Sequence, residues 1–388
     1  MTDPMRILMI HPEGNVNNNP TLSELVHELC ERGARVTVLS QTRDHPQVST
    51  HPNMQLRLHG VSRSLLLRNF LRRVTALSLL RLLVLPMLPK PPADFVLGID
   101  RDGIILASLL ATCLRAPYAL ASFEIFFAAE VGCAYKAPEI KACRDIQFAL
   151  VQDPLRGERL MEENRIPRER LLYAPVAGCG VRTGRAGFLR QKLGISETTK
   201  IALSLGSTAD WTLVPEILET TRDWPQDWCL VVHHRYGQTG ELEQCVEEMG
   251  AHNVYFSSEG HLPAKDLGVL LGDADVGLGF YKATFDDRYT GANLGYLGFA
   301  SGKLSTYLQF GVPVLSNDIG PYSDAITEHG VGYRVSEVGE IARTLSRIPP
   351  RSPEKAERCR HFFSEHLDAA ITLPPVVDRM IEVVTRRA

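Results

Sequence analysis

No two cysteines form a C-x-x-C pair; the eight lie scattered at 30, 113, 133, 143, 179, 229, 245 and 359, mostly in apolar surroundings. That pattern speaks against a zinc site and for buried, reduced thiols. No apolar run is long enough to span a membrane. The greasiest stretch, Val74 to Pro89, is broken by Arg81 and ends in prolines, short of the roughly 18–20 apolar residues a span needs. The opening MTDPMRILMIHPEG lacks a basic start, a long apolar core and a small-residue cleavage site. It does not read as a signal peptide, and the cytoplasm is the expected compartment. An excess of one charge is also missing, because the net charge is −3. The chain as a whole therefore has no strong pull toward nucleic acid, and no nucleic-acid partner is expected. One absence is local: from His45 to Ala93 there is no Asp or Glu at all.

What is present is an ordinary globular composition, 44% hydrophobic and 22% charged over 388 residues, too long for one core and suited to two domains. Short apolar runs alternate with helical patterns. The first series is RILMIH (6–11), RVTVLS (35–40), DFVLGI (94–99), YALASF (118–123) and FALVQ (148–152). Between the first two runs, Leu22, Leu25, Val26, Leu29 and Cys30 share one helical face, with Thr21 and Glu24 as a capping box and Gly33 as the stop. Strand, helix, strand in that order implies right-handed crossovers and a parallel sheet covered on both faces.

The glycine- and arginine-rich stretch 177–186 (AGCGVRTGRA) reads as a linker. After it comes a second series: KIALSLG (200–206), CLVVHH (229–234), NVYFSS (253–258), DVGLGF (275–280) and VPVLSN (312–317). Two helices follow Pro349–Pro350, over roughly 353–366 and 373–386. Two parallel α/β units imply a cleft between them, with ligands at the carboxyl ends of the strands.

The stretch with most chemistry is Phe299–Asn317, FASGKLSTYLQFGVPVLSN. It reads as a loop ending in Ser301-Gly302-Lys303, a helix of about two turns, a stop at Gly311 and a buried strand. A small hydroxyl residue and a glycine at a helix start leave backbone N–H groups free for an anion, and Lys303 adds a point charge. Such a site suits a diphosphate whose charge grows as a bond to it breaks. Taken alone, the same tripeptide fits a plain helix start with a solvated lysine.

Its surroundings resemble the GT-B glycosyltransferases, in particular the group 1 family (family 4), which includes many retaining enzymes. Lys303, Tyr307, Gly311, Pro313 and Val314 fit that family's lysine, its tyrosine four residues on, and its G-x-P-V strand entry. Asp318–Gly320 and Gly330-Val331-Gly332 resemble its next turn and late glycine pair. Gly260-His261-Leu262-Pro263 followed by DLGVLLGDADVGLGFY resembles the loop, helix and strand that precede its donor site. The opening unit resembles the family's as well.

The resemblance implies an α/β fold of two Rossmann-like parallel-sheet domains facing a cleft, with C-terminal helices packing back on the first domain. The acceptor domain would be 1–178 completed by 367–388, and the donor domain 185–366. It also implies that Gly206, Ser207, Gly260, His261, Leu262, Ser301, Gly302, Lys303, Thr306 and Tyr307 meet the donor, with the nucleobase near 260–262. Two departures stand out. The family's acidic pair falls on Gly298 and Thr306, and its arginine and lysine after the first donor-domain strand are absent from Leu205–Asp210. Arg235 or Lys282 would then replace the lost charge, or lie on the surface instead.

On the acceptor side, Glu13, Gly14 and Asn15 form the loop after the first strand, and Asp102 follows the third. His11, Asp100 and Glu124, each at a strand end, are the candidate catalytic groups. For Asp100 and Asp102 helix capping is an equal alternative, and for His11 a structural role is. Within the acid-free stretch, 62–90 combines an apolar helical face with a basic edge. It would meet an anionic membrane or a phosphorylated or lipid-linked acceptor, or else form a core helix with a solvated edge.

The activity implied is transfer of a sugar from a nucleoside diphosphate, UDP being the family's frequent carrier, to an acceptor hydroxyl. The resemblance implies retention; the missing acidic pair leaves inversion open, with His11, Asp100 or Glu124 as the base. No essential metal or other cofactor is expected, since Asp273-Ala274-Asp275 leads into a buried strand. An epimerase of the same fold and a silent sugar-nucleotide-binding subunit are the alternatives.

Overall fold

The structure, a computed structural model, describes residues 3–12, 16, 19–40, 51–58, 92–234, 239–257, 259–260, 262 and 266–387. The chain forms two compact units, Met1–Val176 with Ala369–Ala388, and Ala177–Asp368.

The first unit is built on β1 (Arg6–His11), β2 (Arg35–Ser40), β3 (Met54–Leu58), β4 (Phe95–Ile99), β5 (Tyr118–Ala121), β6 (Ala149–Val151) and β7 (Leu171–Tyr173). Their order across the sheet is β3-β2-β1-β4-β5-β6-β7, and every pairing is parallel. The second unit carries β8 (Lys200–Gly206), β9 (Trp228–His234), β10 (Val254–Phe256), β11 (Val276–Gly279), β12 (Val314–Ser316) and β13 (Gly332–Arg334). Its order is β10-β9-β8-β11-β12-β13, again all parallel. In each sheet the strand order reverses once, between β1 and β4 and between β8 and β11. Loops leave a parallel sheet in opposite directions at such a point, which opens a crevice at the strands' carboxyl ends.

The near-continuous apolar runs form the buried strands, as their composition requires. The runs at β3, β7 and β13 were not singled out, being short or alternating sheet-edge segments. At the first helix, Pro20–Glu31, the expected capping box does not form. Asn19 is the N-cap, accepting the Leu22 N–H, and Pro20 takes the first helical position. Thr21 instead donates its hydroxyl to the Pro175 carbonyl at 2.9 Å.

The expected linker is packed structure. Within 177–186 the Gly180 N–H donates to Asp368 at 3.0 Å, the Arg182 N–H to the Gln309 carbonyl at 2.9 Å and the Arg185 N–H to the Gly268 carbonyl at 2.8 Å. Gly184 serves close approach here, since a Cβ on it would fall 2.4 Å from Gly272 Cα. At the chain's end the Pro374–Thr385 helix packs on Pro20–Glu31 in the first unit.

Candidate functional site

The second unit's crevice begins with glycines. β11 reads Val-Gly-Leu-Gly, and a Cβ on Gly277 would come 2.4 Å from the Tyr307 ring, one on Gly279 2.0 Å from Leu304. Both side chains belong to the Gly302–Gln309 helix, which can therefore lie directly on the strand. Tyr307 is completely buried. Its hydroxyl donates to the Leu203 carbonyl (2.8 Å) and accepts the Leu205 N–H (3.0 Å). It lies beneath the strand tips and braces the helix on β8, rather than facing the crevice as expected of a donor contact.

At the start of this helix Ser301 is the N-cap residue but makes no capping hydrogen bond; its hydroxyl pairs with the Tyr281 hydroxyl at 2.7 Å. Among the described residues the N–H groups of Gly302 and Lys303 consequently find no acceptor. Thr306 hydrogen-bonds back to the Gly302 carbonyl at 2.7 Å.

Lys303 is half-buried, with its ammonium 5.3 Å from the centre of the Tyr281 ring. A Cβ on Gly206, the last residue of β8 with φ +97, would lie 3.5 Å from Lys303 Cε. Gly206 and Lys303 thus meet at the switch point, one strand tip against one helix start. No carboxylate pairs with Lys303 among the described residues. Burial without a counter-charge pushes its pKa down to about 8.

Other expected donor residues are placed variously. Ser207 accepts the Ala209 N–H, and Gly260 is exposed. Leu262 packs on the unit's core. Lys282 is engaged in an ion pair with Glu216. Arg235 and His261 lie outside the described residues. Gly298, where the resemblance would place an acid, has φ +46, a backbone that side-chain-bearing residues rarely adopt.

Two groups at this site escaped sequence reasoning. Tyr281 lies between Lys303 and Trp211, whose ring is 5.9 Å away at 17°. Asn317, at the β12 tip, accepts the Tyr281 N–H (3.0 Å) and donates to its carbonyl (2.7 Å), fixing that residue's backbone. Their only sequence signal was position: Tyr281 is one step past the run 275–280, and Asn317 closes the run 312–317.

In the first unit His11 ends β1 and Asp100 follows β4, so both sit at the switch point. Gly103 allows the Asp100–Leu114 helix to start there, since a Cβ on it would be 2.6 Å from the Ile10 carbonyl oxygen. Asp100 adopts φ +53 and accepts the N–H groups of Phe123 (2.6 Å) and Glu124 (2.9 Å). Glu124 itself is half-buried after β5. Asp102 is buried against Arg101, whose guanidinium stacks 3.6 Å from the Tyr135 ring centre. Asp102, expected at the acceptor, is thus held in a buried ion pair in this structure. Glu13, Gly14 and Asn15, and the basic stretch 62–90, lie outside the described residues.

No protein-family model and no curated protein sequence matches the chain. Solved structures do. WaaG, a glycosyltransferase involved in lipopolysaccharide biosynthesis, aligns over 97% of this chain and 99% of its own at TM-score 0.66 and 18% identity. HepE of Anabaena, solved with UDP-glucose, aligns over 97% and 99% at 0.71 and 12%. Sucrose-phosphate synthase of Thermosynechococcus elongatus aligns over 98% and 100% at 0.73 and 12%. The chain has the GT-B fold.

Asp273 and Asp275 stand away from the carboxyl ends of the second sheet's strands. They precede β11 at its amino end. Asp273 accepts N–H groups of Gly187 (2.5 Å), Leu189 (2.8 Å) and Arg190 (3.1 Å), and Asp275 those of Ile201 (2.9 Å) and Arg351 (3.1 Å). Among the described residues no helix is long and apolar enough to cross a membrane.

Proposed function

We propose that this protein is a glycosyltransferase that takes a sugar from a nucleoside diphosphate and passes it to an acceptor hydroxyl. The observation that carries this reading is Lys303, a half-buried cation at the switch point of the second sheet without a carboxylate partner among the described residues. A protein that keeps such a charge partly out of water needs an anion to offset the desolvation. The unpartnered N–H groups of Gly302 and Lys303 and the helix dipole add to its field. A diphosphate fits: as the bond from sugar to phosphate breaks, charge accumulates on the leaving oxygen, where these donors stabilise it.

On this reading the second unit holds the donor and the first the acceptor. UDP is the first carrier to test. The reaction proceeds with retention, the departing phosphate oxygen taking the acceptor's proton on the same face. Lys303 and the helix start supply the positive charge, so a chelator leaves activity intact. The acid-free stretch 45–93 favours a lipid-linked or phosphorylated acceptor, met at the inner face of a membrane.

The test is a panel of UDP-, GDP-, ADP- and TDP-sugars, followed by thermal shift and by release of free nucleoside diphosphate. Stabilisation together with slow hydrolysis supports the proposal. Interconversion of sugars without release would instead mark an epimerase, and binding without turnover a silent subunit.

A further inference from the structure

A chain segment at the acceptor-side switch point is held more completely than any loop needs to be. After β5, the turn Ser122-Phe123-Glu124 has its backbone tied from both sides. The N–H groups of Phe123 and Glu124 donate to Asp100 Oδ1 at 2.6 and 2.9 Å. The Ser122 carbonyl accepts from Gln152 Nε2 at 2.9 Å, and the Phe123 carbonyl from Arg156 Nη2 at 2.6 Å. Arg156 Nε donates in turn to Gln152 Oε1 at 2.8 Å, so the two clamping side chains also hold each other.

The arrangement is costly. Arg156 is completely buried, and burial lowers its pKa; the charges facing it are Glu124 first, then Asp153 and Asp100. Burying a guanidinium demands that its charge and hydrogen bonds be answered. Asp100 holds its carboxylate in place from a left-handed backbone, φ +53, a conformation that strains any residue with a side chain. A surface turn needs neither expense. Strain and buried charge around a fixed turn are characteristic of a group that must be aimed. The side chain carried by this fixed turn is that of Glu124, half-buried just past the tip of β5.

We propose that Arg156, Gln152 and Asp100 are positioning residues that aim the Glu124 carboxylate at a hydroxyl of the acceptor sugar. The proposal rests on the glycosyltransferase reading and deepens it by choosing among the three strand-end candidates. Asp100 spends an oxygen on two backbone N–H groups and braces the turn; Glu124 accepts the substrate's hydrogen bond.

Gln152→Met keeps the volume of the buried side chain and removes both its hydrogen bonds; Arg156→Lys keeps the charge and removes the fork. Two readouts separate the layers of the argument. The first is hydrogen exchange at the Phe123 and Glu124 amides, which needs no substrate. Losing one or two hydrogen bonds of about 1 kcal/mol each should speed exchange there about fivefold or more in Gln152→Met. The second is transfer to octyl glycosides of glucose, galactose and mannose. Both variants should raise the KM for the acceptor more than that for the donor. Adding Gln152→Met to Glu124→Gln should cause little further loss, because both changes remove one interaction.

If exchange at the two amides stays at the wild-type rate, the clamp itself is wrong. If the turn loosens while the acceptor KM holds, or if the two losses multiply in the double variant, the clamp does not serve Glu124. If wild type neither hydrolyses nor transfers any nucleotide-sugar, the glycosyltransferase reading fails and takes the acceptor role with it, whatever the exchange data show. Should Arg156→Lys fail to fold, Gln152→Met and Glu124→Gln still decide.

Discussion

At the switch point of the first sheet the charges answer one another. Asp102 is buried against Arg101, and Arg156 faces Glu124, Asp153 and Asp100. At the switch point of the second sheet Lys303 has, among the described residues, a tyrosine ring and two idle N–H groups for company, and no acid. The same topology thus ends in a cross-linked, carboxylate-rich network in one unit and an uncompensated positive field in the other. A hydrogen-bonded network of this kind fixes geometry and suits a neutral, hydroxyl-bearing ligand that must be oriented. A field with no counter-charge suits a ligand that brings its own negative charge. The asymmetry favours, on the proposed reading, the second unit for the donor and the first for the acceptor.

Breaking the second field should have the largest effect. Lys303→Met, which keeps the aliphatic stem, should weaken nucleoside diphosphate binding about 10- to 100-fold, as expected for a charge-assisted hydrogen bond. Calorimetric titration with UDP reads this directly, and affinity within threefold of wild type would remove Lys303 from the donor site. The same residue sets a pH dependence. Burial lowers its pKa to about 8, whereas that of Tyr281 is pushed up to about 12. The charged form binds the anion, so affinity should be steady below pH 7 to 8. Above about 8 it should fall by up to tenfold per pH unit. Lys303→Met should abolish that slope.

A smaller effect is expected from the brace. The β8–β11 ladder ends at Leu203, and the Tyr307 hydroxyl takes the Leu205 N–H that the sheet no longer satisfies. Tyr307→Phe leaves that buried donor unpaired, at a cost of about 1–3 kcal/mol. We expect the Tm to fall by about 3–8 °C, with a loss of UDP affinity well below that of Lys303→Met. An unchanged Tm would mean that the hydroxyl bonds contribute nothing net.

The difference between the two regions also explains what could be read from the sequence. Long apolar runs declare themselves, so the central strands and the order of elements were legible, as was the helix after Ser301. β7 and β13 are edge strands with only their first residue buried, so neither makes an apolar run of its own, and β3 alternates at a sheet edge. Lys303 was legible because its meaning depends on neighbours in sequence: a small residue, a glycine and a helix. Arg156, Gln152, Tyr281 and Asn317 act through partners 20 to 36 residues away, and no local pattern marks such a pairing. The glycines of 177–186 misled for a related reason. A glycine that permits two backbones to touch has the same one-letter code as one in a flexible linker. Asp102 looked like a cleft carboxylate because its burial depends on Tyr135 and on how Arg101 folds over it.

The smallest effect tests whether the second field depends on one cation or on several. Lys282 stands just past Tyr281 and would be a natural substitute for the positive residues missing after β8. Its ammonium is engaged with Glu216, and its backbone N–H donates to the Trp211 carbonyl at 3.0 Å. A partly exposed ion pair contributes about 0–1 kcal/mol, and a lysine already answered by a carboxylate adds little field at a distance. Lys282→Ala should therefore change UDP affinity by less than about threefold, while Glu216→Ala, which frees the ammonium, should leave affinity equal or slightly improved. If Lys282→Ala weakened binding as much as Lys303→Met, the ion pair would have to open on binding. The second switch point would then hold two working cations, and the contrast with the first unit would be one of charge number as well as of pairing.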